Sequence, residues 1–506
     1  MMSLIRTVVA STALAALLPA SAVARTPAAE ISWHACPALP DDVLKARGVV
    51  ADRMPQLRTL LARMECGKVN VPLDYRAPHG RRITIALTRL KATGSANRLG
   101  SLALNPGGPG GSGYLMPVEV VMMSEQNARL NDRYDLIGFD PRGVGHSTKA
   151  ACPPAAGGPP APGPLTRQAA KAVYASEKAA NAACGRSDPD FLGTLTTLNA
   201  ARDLDRIRAA LGEDKLSFLG VSWGTWLGAV YRGTYPNRVH RMFLDSVALP
   251  RFRLDDFEDG RADATERGFS RLAAWIARRH DTYGFGGTAK QVTAAVVKLG
   301  RAYDDRPRRY TDVPAVADGA LVAMLAGRGS PDWPKVAKAL SELRDATGTT
   351  VPPAVKEMLG GPPPAMPPGA PEQMNATASQ AFFCDEDASR LGFDAAWTAY
   401  QRRLERNPVT GRAQRFSAGC AGWPLPVQKI EVNRVAGSLV LSGHRHESIS
   451  PYAWTTDMRR TIGGTLFTVE DDMHGSAIRE PDCAAELVSY FLTGRIGRGC
   501  QGVATP

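Results

Sequence analysis

Short apolar runs alternate with helical patterns from about Arg81 to Asp245. Leu99–Leu104, Tyr134–Phe139, Leu216–Val221 and Val239–Asp245 each read as a buried strand bounded by glycine, proline or charged residues. Thr225 to Tyr235 instead carries Trp226, Leu227, Val230 and Tyr231 at helical spacing and is stopped by Pro236. This alternation predicts an α/β fold, a mostly parallel sheet with helices on both faces. Beyond Pro250 the rhythm changes to long amphipathic segments, such as Thr265 to Arg279 and Lys290 to Tyr303, with no strand between them. Within that stretch Val351 to Pro371 is rich in proline and reads as a surface loop. Strand patterns return at Ser438–Ser442 and Thr465–Val469. The order of elements predicts one fold in two parts, residues 25–250 and 426–506, interrupted by a helical cap over 251–425.

Where the run Leu216–Val221 gives way to a helix, the chain reads Gly220-Val221-Ser222-Trp223-Gly224. A serine on so sharp a strand-to-helix turn is held in a cramped backbone conformation with its hydroxyl exposed, and small residues two positions either side let strand and helix approach. The amide of Trp223 then points where an oxyanion would develop. A second donor is expected from a glycine-rich loop after an earlier strand. Asn105-Pro106-Gly107-Gly108-Pro109-Gly110-Gly111-Ser112-Gly113 follows the Leu99–Leu104 run in that way, and Gly108 is placed to donate. The loop lacks the Gly-Lys-Ser/Thr ending of a phosphate cradle, and no dinucleotide fingerprint or metal-ligand spacing occurs. No cofactor and no metal is implied.

A third marker, Tyr134 to Ser147, runs a strand into the turn Asp140-Pro141-Arg142-Gly143. Together with Val71–Tyr75, Ala200–Asp205, Cys420–Pro424 and His474-Gly475-Ser476, these blocks resemble the α/β-hydrolase serine exopeptidases of the prolyl iminopeptidase and secreted tripeptidyl aminopeptidase type, over about Ile31 to Cys500. The resemblance implies the α/β-hydrolase fold and a serine–histidine–acid triad in that chain order. His240, His280, His444, His446 and His474 follow Ser222. His474 lies in a loop just past the Thr465–Val469 strand and matches the family's His-Gly-Ser block. For the acid, the family has an aspartate in a Gly-x-x-Asp-x-x-Thr-Pro pattern. The corresponding stretch Gly443 to Pro451 is one residue longer and lacks it. Counting back from Pro451 selects Glu447, and counting forward from Gly443 falls on His446. Asp245 is the fallback. Asp140 and Arg142 are expected to brace their turn.

Composition adds the compartment. Arg6, an apolar run from Thr7 to Leu18 and Ala22-Val23-Ala24 form a secretory signal over residues 1–24, predicting a secreted or periplasmic protein. That run is shorter than the roughly 18 apolar residues a membrane helix needs, and no later stretch approaches them, so no stable membrane association is expected. Eight cysteines with no C-x-x-C pair favour disulfides in an exported chain. Neighbour pairing, 36–66, 152–184, 384–420 and 483–500, closes loops of roughly 18–37 residues, each worth about 3–4 kcal/mol in the chain-entropy model. The net charge of +12 is dispersed among acids. Without a nucleic-acid-binding motif it reads as solvated surface, so no nucleic-acid partner is expected.

The leading expectation is therefore a serine hydrolase that cleaves short peptides from a free N-terminus through an acyl-enzyme on Ser222. Recognising an ammonium calls for an anionic subsite. Glu386 and Asp385, beside Cys384, are the candidates, with Asp387, Asp255, Asp256 and Glu258 weaker. An esterase would share the same catalytic residues, and a binding protein without activity would share the fold.

Overall fold

The computed structural model describes residues 31–153, 162–313, 316–360 and 365–506. The signal segment expected at residues 1–24 lies outside them. Ten strands form one sheet: β1 (His34–Ala35), β2 (Met64–Pro72), β3 (Arg82–Leu90), β4 (Ser101–Asn105), β5 (Asp135–Phe139), β6 (Leu216–Val221), β7 (Val239–Asp245), β8 (Ser438–His444), β9 (Thr465–Val469) and β10 (Gly499–Cys500). Their spatial order is β1-β2-β3-β5-β4-β6-β7-β8-β9-β10. From β5 onward every neighbouring pair is parallel. β4 and β5 are buried along their whole length, as strands covered on both faces must be.

The other edge departs from the sequence-based expectation. β1, β2 and β3 pair antiparallel, and β3 joins β5 antiparallel. The period-2 burial of β2 marks an edge with one wet face, a pattern too weak to read beside the strong parallel strands.

Helices α1 (Met116–Met123), α2 (Arg167–Gly185), α3 (Thr197–Ala210) and α4 (Trp223–Thr234) lie between β4 and β7. Between β7 and β8 no described residue adds a strand to this sheet. That span holds α5 (Leu254–Ala277), α6 (Ala289–Asp305), α7 (Gly319–Ala326), α8 (Trp333–Asp345), α9 (Pro353–Leu359), α10 (Ala376–Glu386) and α11 (Phe393–Arg406). Helices α5 to α9 enclose an apolar core of their own, including Phe269, Ile276, Val296, Leu325, Trp333 and Leu340. Tyr174 of α2, a helix from the first part of the chain, packs with Tyr400 and Phe416 of the inserted span. The proline-rich stretch is not only a surface loop. It contains α9, and the chain just after it docks on the glycine-rich loop, with Ser112 N–H donating to Gln373 O (3.0 Å) and Asn375 N–H to Gly110 O (2.9 Å). α12 (Tyr452–Ile462) and α13 (Pro481–Thr493) complete the fold. All four disulfides join sequence neighbours: Cys36–Cys66, Cys152–Cys184, Cys384–Cys420 and Cys483–Cys500.

Candidate active site

The parallel registers align Asn105 with Gly220, Val221 with Asp245 and Asp245 with Ser442, so the carboxyl ends of β4, β6, β7 and β8 end side by side. Open α/β sheets build their sites along this edge. Ser222 follows β6 directly, with φ 60° and ψ −125°, a conformation sparsely populated by non-glycine residues. It is held there by its N–H donating to Asp245 O (3.0 Å). A Cβ on Gly220 would lie 2.4 Å from Gly224 O, which is why the elbow takes glycine there.

Gly107 packs directly on the elbow: a Cβ there would lie 2.3 Å from Val221 O and 3.0 Å from Trp223 N. Its N–H is already committed to Asn105 Oδ1 (3.0 Å). The next amide along, that of Gly108, faces no such partner among the described residues, and Trp223 opens α4, where a first-turn N–H has no helical acceptor. These are the two amides expected from the sequence, and neither is committed to another acceptor among the described residues.

Across the edge, His474 Nδ1 is hydrogen-bonded to Glu447 Oε1. Glu447 is buried and fully engaged. Ser450 N–H donates to Oε1 (2.7 Å), and Ser246 Oγ donates to Oε2 (2.9 Å) while accepting from Gly475 N–H (2.8 Å). The His474 loop reaches the elbow at Gly475, where a Cβ would lie 3.0 Å from Val221 Cγ1. No Ser222–His474 hydrogen bond is formed among the described residues; such bonds are commonly loose before substrate binds.

The fallback acid, Asp245, has a different partner. Its Oδ1 lies 2.9 Å from His444 Nε2, and His444 Nδ1 lies 2.7 Å from Asp471 Oδ1, with all three side chains buried. Burial alone would lower the His444 pKa, but the flanking Asp245 and Asp471 outweigh it and raise it to about 10. His444 is therefore an imidazolium at neutral pH. It ties β7, whose last carbonyl anchors Ser222, to the loop that carries His474, where Ser476 Oγ also donates to Asp471 Oδ2 (2.6 Å). Neither His444 nor Ser246 stood out in the sequence. The one-residue lengthening of the acid loop was the visible signal.

The bracing turn is built as expected. Asp140 accepts from Ser112 Oγ (2.5 Å) and His146 N–H (2.8 Å), which links it to the glycine-rich loop. Arg142, fully buried, makes a bidentate pair with Asp203 (2.7 and 2.7 Å), and Tyr75 O–H donates to the same carboxylate (2.8 Å). Three of the sequence blocks thus meet at one ion pair.

The residues expected for the anionic subsite are engaged within the fold. Glu386 accepts from Trp226 Nε1–H (2.9 Å) and Thr197 N–H (2.5 Å), and Asp385 accepts from Trp423 Nε1–H (2.7 Å). Both are buried between α10, the elbow helix and the Cys420–Pro424 turn. Burial pushes Glu386 up to about 7 and Asp385 up to about 8. Glu386 fastens the inserted span to the core, and Asp385 fastens the Cys420–Pro424 turn to α10 within that span. Asp387 likewise caps local N–H groups of Leu254, Ser389 and Arg390. Asp255 and Asp256 pair with Arg253, and Glu258 with Arg403.

A cleft of about 350 Å³ is lined by Gly107, Gly108 and Ser112 together with Glu119, Glu372 and Arg47, Arg47 pairing with Glu119 (2.9 Å). No helix among the described residues is long and apolar enough to cross a membrane.

Two family models match, the alpha/beta hydrolase fold over residues 101–288 and TAP-like protein over residues 407–501. The tripeptidyl aminopeptidase of Streptomyces lividans is 31% identical over 473 residues, covering 88% of this chain and 84% of that protein. The serine protease Hip1 of Mycobacterium tuberculosis is 30% identical, with 85% of each chain covered. Carboxylesterase B of the same organism is 28% identical over 92% of this chain and 88% of that one. An α/β-hydrolase with a strained serine elbow beside two open amides is a serine hydrolase. The chain belongs to the tripeptidyl aminopeptidase family of serine peptidases.

Proposed function

We propose that this protein is an exported aminopeptidase that releases short peptides from a free N-terminus, with Ser222, His474 and Glu447 as its triad. Ser222 Oγ attacks the scissile carbonyl as His474 takes its proton, and the amides of Trp223 and Gly108 receive the oxyanion. His474 passes that proton to the departing amine, and a water activated by the same imidazole releases the acyl group. Glu447 holds the imidazole in the tautomer this needs; a glutamate serves because the lengthened loop sets its carboxylate on Nδ1. The hydrogen bond between Glu447 and His474 beside the elbow carries this reading. Segment 251–425 acts as the lid. With Glu386 and Asp385 buried away from the cleft, the cleft carboxylates Glu119 and Glu372 are the ones that meet the substrate ammonium, which would displace or share their present partners Arg47 and Lys149. The four disulfides and the tripeptidyl aminopeptidase relatives support an oxidising, extracytoplasmic location.

Purified protein offered tripeptidyl anilides with free or acetylated N-termini is expected to cleave the free form at least about 10-fold faster, the scale of one charge-assisted contact. Equal rates on both forms contradict the aminopeptidase mode. The carboxylesterase relative supports a second reading, an esterase, which hydrolysis of p-nitrophenyl esters without any anilide cleavage would favour.

A further inference from the structure

Helix α5 packs on the start of α12, just past the acid loop, and its charged residues divide into two groups. Its carboxylates all have partners: Asp255 and Asp256 pair with Arg253, Glu258 and Asp259 with Arg403, Asp263 with Arg406, and Glu266 accepts from Val409 and Thr410. Arg261 has none. Its guanidinium makes no hydrogen bond and no ion pair among the described residues, and it lies 5.2 Å over the ring of Phe257 one turn earlier.

The position of that face is well defined. Phe257 stacks on Trp454 (centroids 5.3 Å apart), and a Cβ on Gly260 would lie 3.0 Å from the same indole. Trp454 lies in the first turn of α12, its N–H donating to Pro451 O, directly after the Glu447–Ser450 turn. Arg261, next to Gly260 and four residues after Phe257, is thus held at the acid loop, where the negative charges acting on it are those of Glu447 and Glu258. Neither needs it, since Glu447 already has His474, Ser450 and Ser246, and Glu258 has Arg403. The side chain is half-buried, and a guanidinium with no hydrogen-bonded carboxylate of its own can take one from a ligand.

The geometry points to Arg261 as a specificity residue that binds a carboxylate on the leaving fragment of the substrate. The assignment rests on the peptidase reading above for its substrate. Because His474 must hand its proton to the departing amine, the departing fragment lies on the imidazole side of Ser222, and α5 reaches the loop that carries His474 where Arg271 pairs with Asp472 (3.4 Å). Two sources supply the same chemistry: the terminal carboxylate of a short peptide, or an Asp or Glu side chain.

The test compares wild type with Arg261→Met and Arg261→Lys on three tetrapeptides of one sequence: the free acid, the C-terminal amide, and the amide with Asp at the leaving residue. Wild type is expected to prefer the free acid to the plain amide about 10- to 100-fold in kcat/KM. Arg261→Met erases that preference with the amide rate unchanged, and Arg261→Lys recovers part of it. A preference that follows the Asp side chain supports the subsite with the side chain as source. An equal loss on all three peptides, or no discrimination by wild type, overturns it. A protein inactive on every peptide contradicts the aminopeptidase reading alone. Arg261 is then read from acetate esters of 3-hydroxybenzoate and of phenol: the ratio of their rates must fall about 10-fold in Arg261→Met, and an unchanged ratio overturns the assignment.

Discussion

Two clusters of buried carboxylates flank the serine elbow, and their partners differ in kind. At the acid loop, Asp245 and Asp471 share the His444 imidazolium and Glu447 faces His474. Asp471 is held below the usual carboxylate range because its bonds to His444 and Ser476 outweigh its burial. On α10, Asp385 and Glu386 meet only neutral donors, two indoles and an amide, and burial raises both. A neutral N–H satisfies a carboxyl in either protonation state, whereas a cation rewards only the charged one. The partner, rather than the residue type, decides whether a buried acid can orient a catalytic base or serve as a fastening.

The sharpest way to break this comparison is at Glu447. Glu447→Gln keeps the shape but not the charge, and kcat is expected to fall about 10³–10⁴-fold through loss of the correct imidazole tautomer. A loss under about 10-fold would place the catalytic acid elsewhere. Next is the buried cation. His444→Leu leaves Asp245 and Asp471 facing each other without compensation, and urea unfolding is expected to show a loss of about 3–5 kcal/mol. Unchanged stability would mean that the imidazole is not charged.

The smallest effect is a slope. A carboxyl whose pKa is higher folded than unfolded binds more protons in the native state, so stability falls as pH rises from the ordinary carboxylate range through about 7 for Glu386 and about 8 for Asp385. The Asp385→Asn, Glu386→Gln double variant is expected to flatten that part of the stability profile while leaving kcat within about 3-fold, since neither side chain faces the reacting atoms. His444 contributes in the same direction at higher pH: its raised pKa gives stability that is complete below about 6.5 and lost as pH rises through about 10.

What was legible in the sequence follows the same division. The elbow, the glycine-rich loop and the parallel strands announce themselves locally, because a strained turn or a close backbone approach leaves its mark within a few residues, whereas the disulfide pairing was only a preference for sequence neighbours among many possible connectivities. Family pattern and chain order together selected Glu447. The partners of Glu386 and Asp385 could not be read from the sequence because Trp226 and Trp423 come from other elements, and an acidic run looks the same solvated or fastened. His444 and Ser246 were missed because a buried charge pair is defined by what folds against it. The antiparallel strands β1 and β2 were missed because a half-wet edge carries only a weak alternation.

The central claim is that Ser222 is activated by a His474 imidazole oriented by Glu447, and the rate at which a fluorophosphonate labels Ser222 tests it most directly. Wild type is expected to label rapidly, Ser222→Ala not at all, and both His474→Ala and Glu447→Gln at least about 10³-fold more slowly, since removing one member of a triad disables the unit. Wild-type labelling rates in Glu447→Gln or His474→Ala would contradict the account.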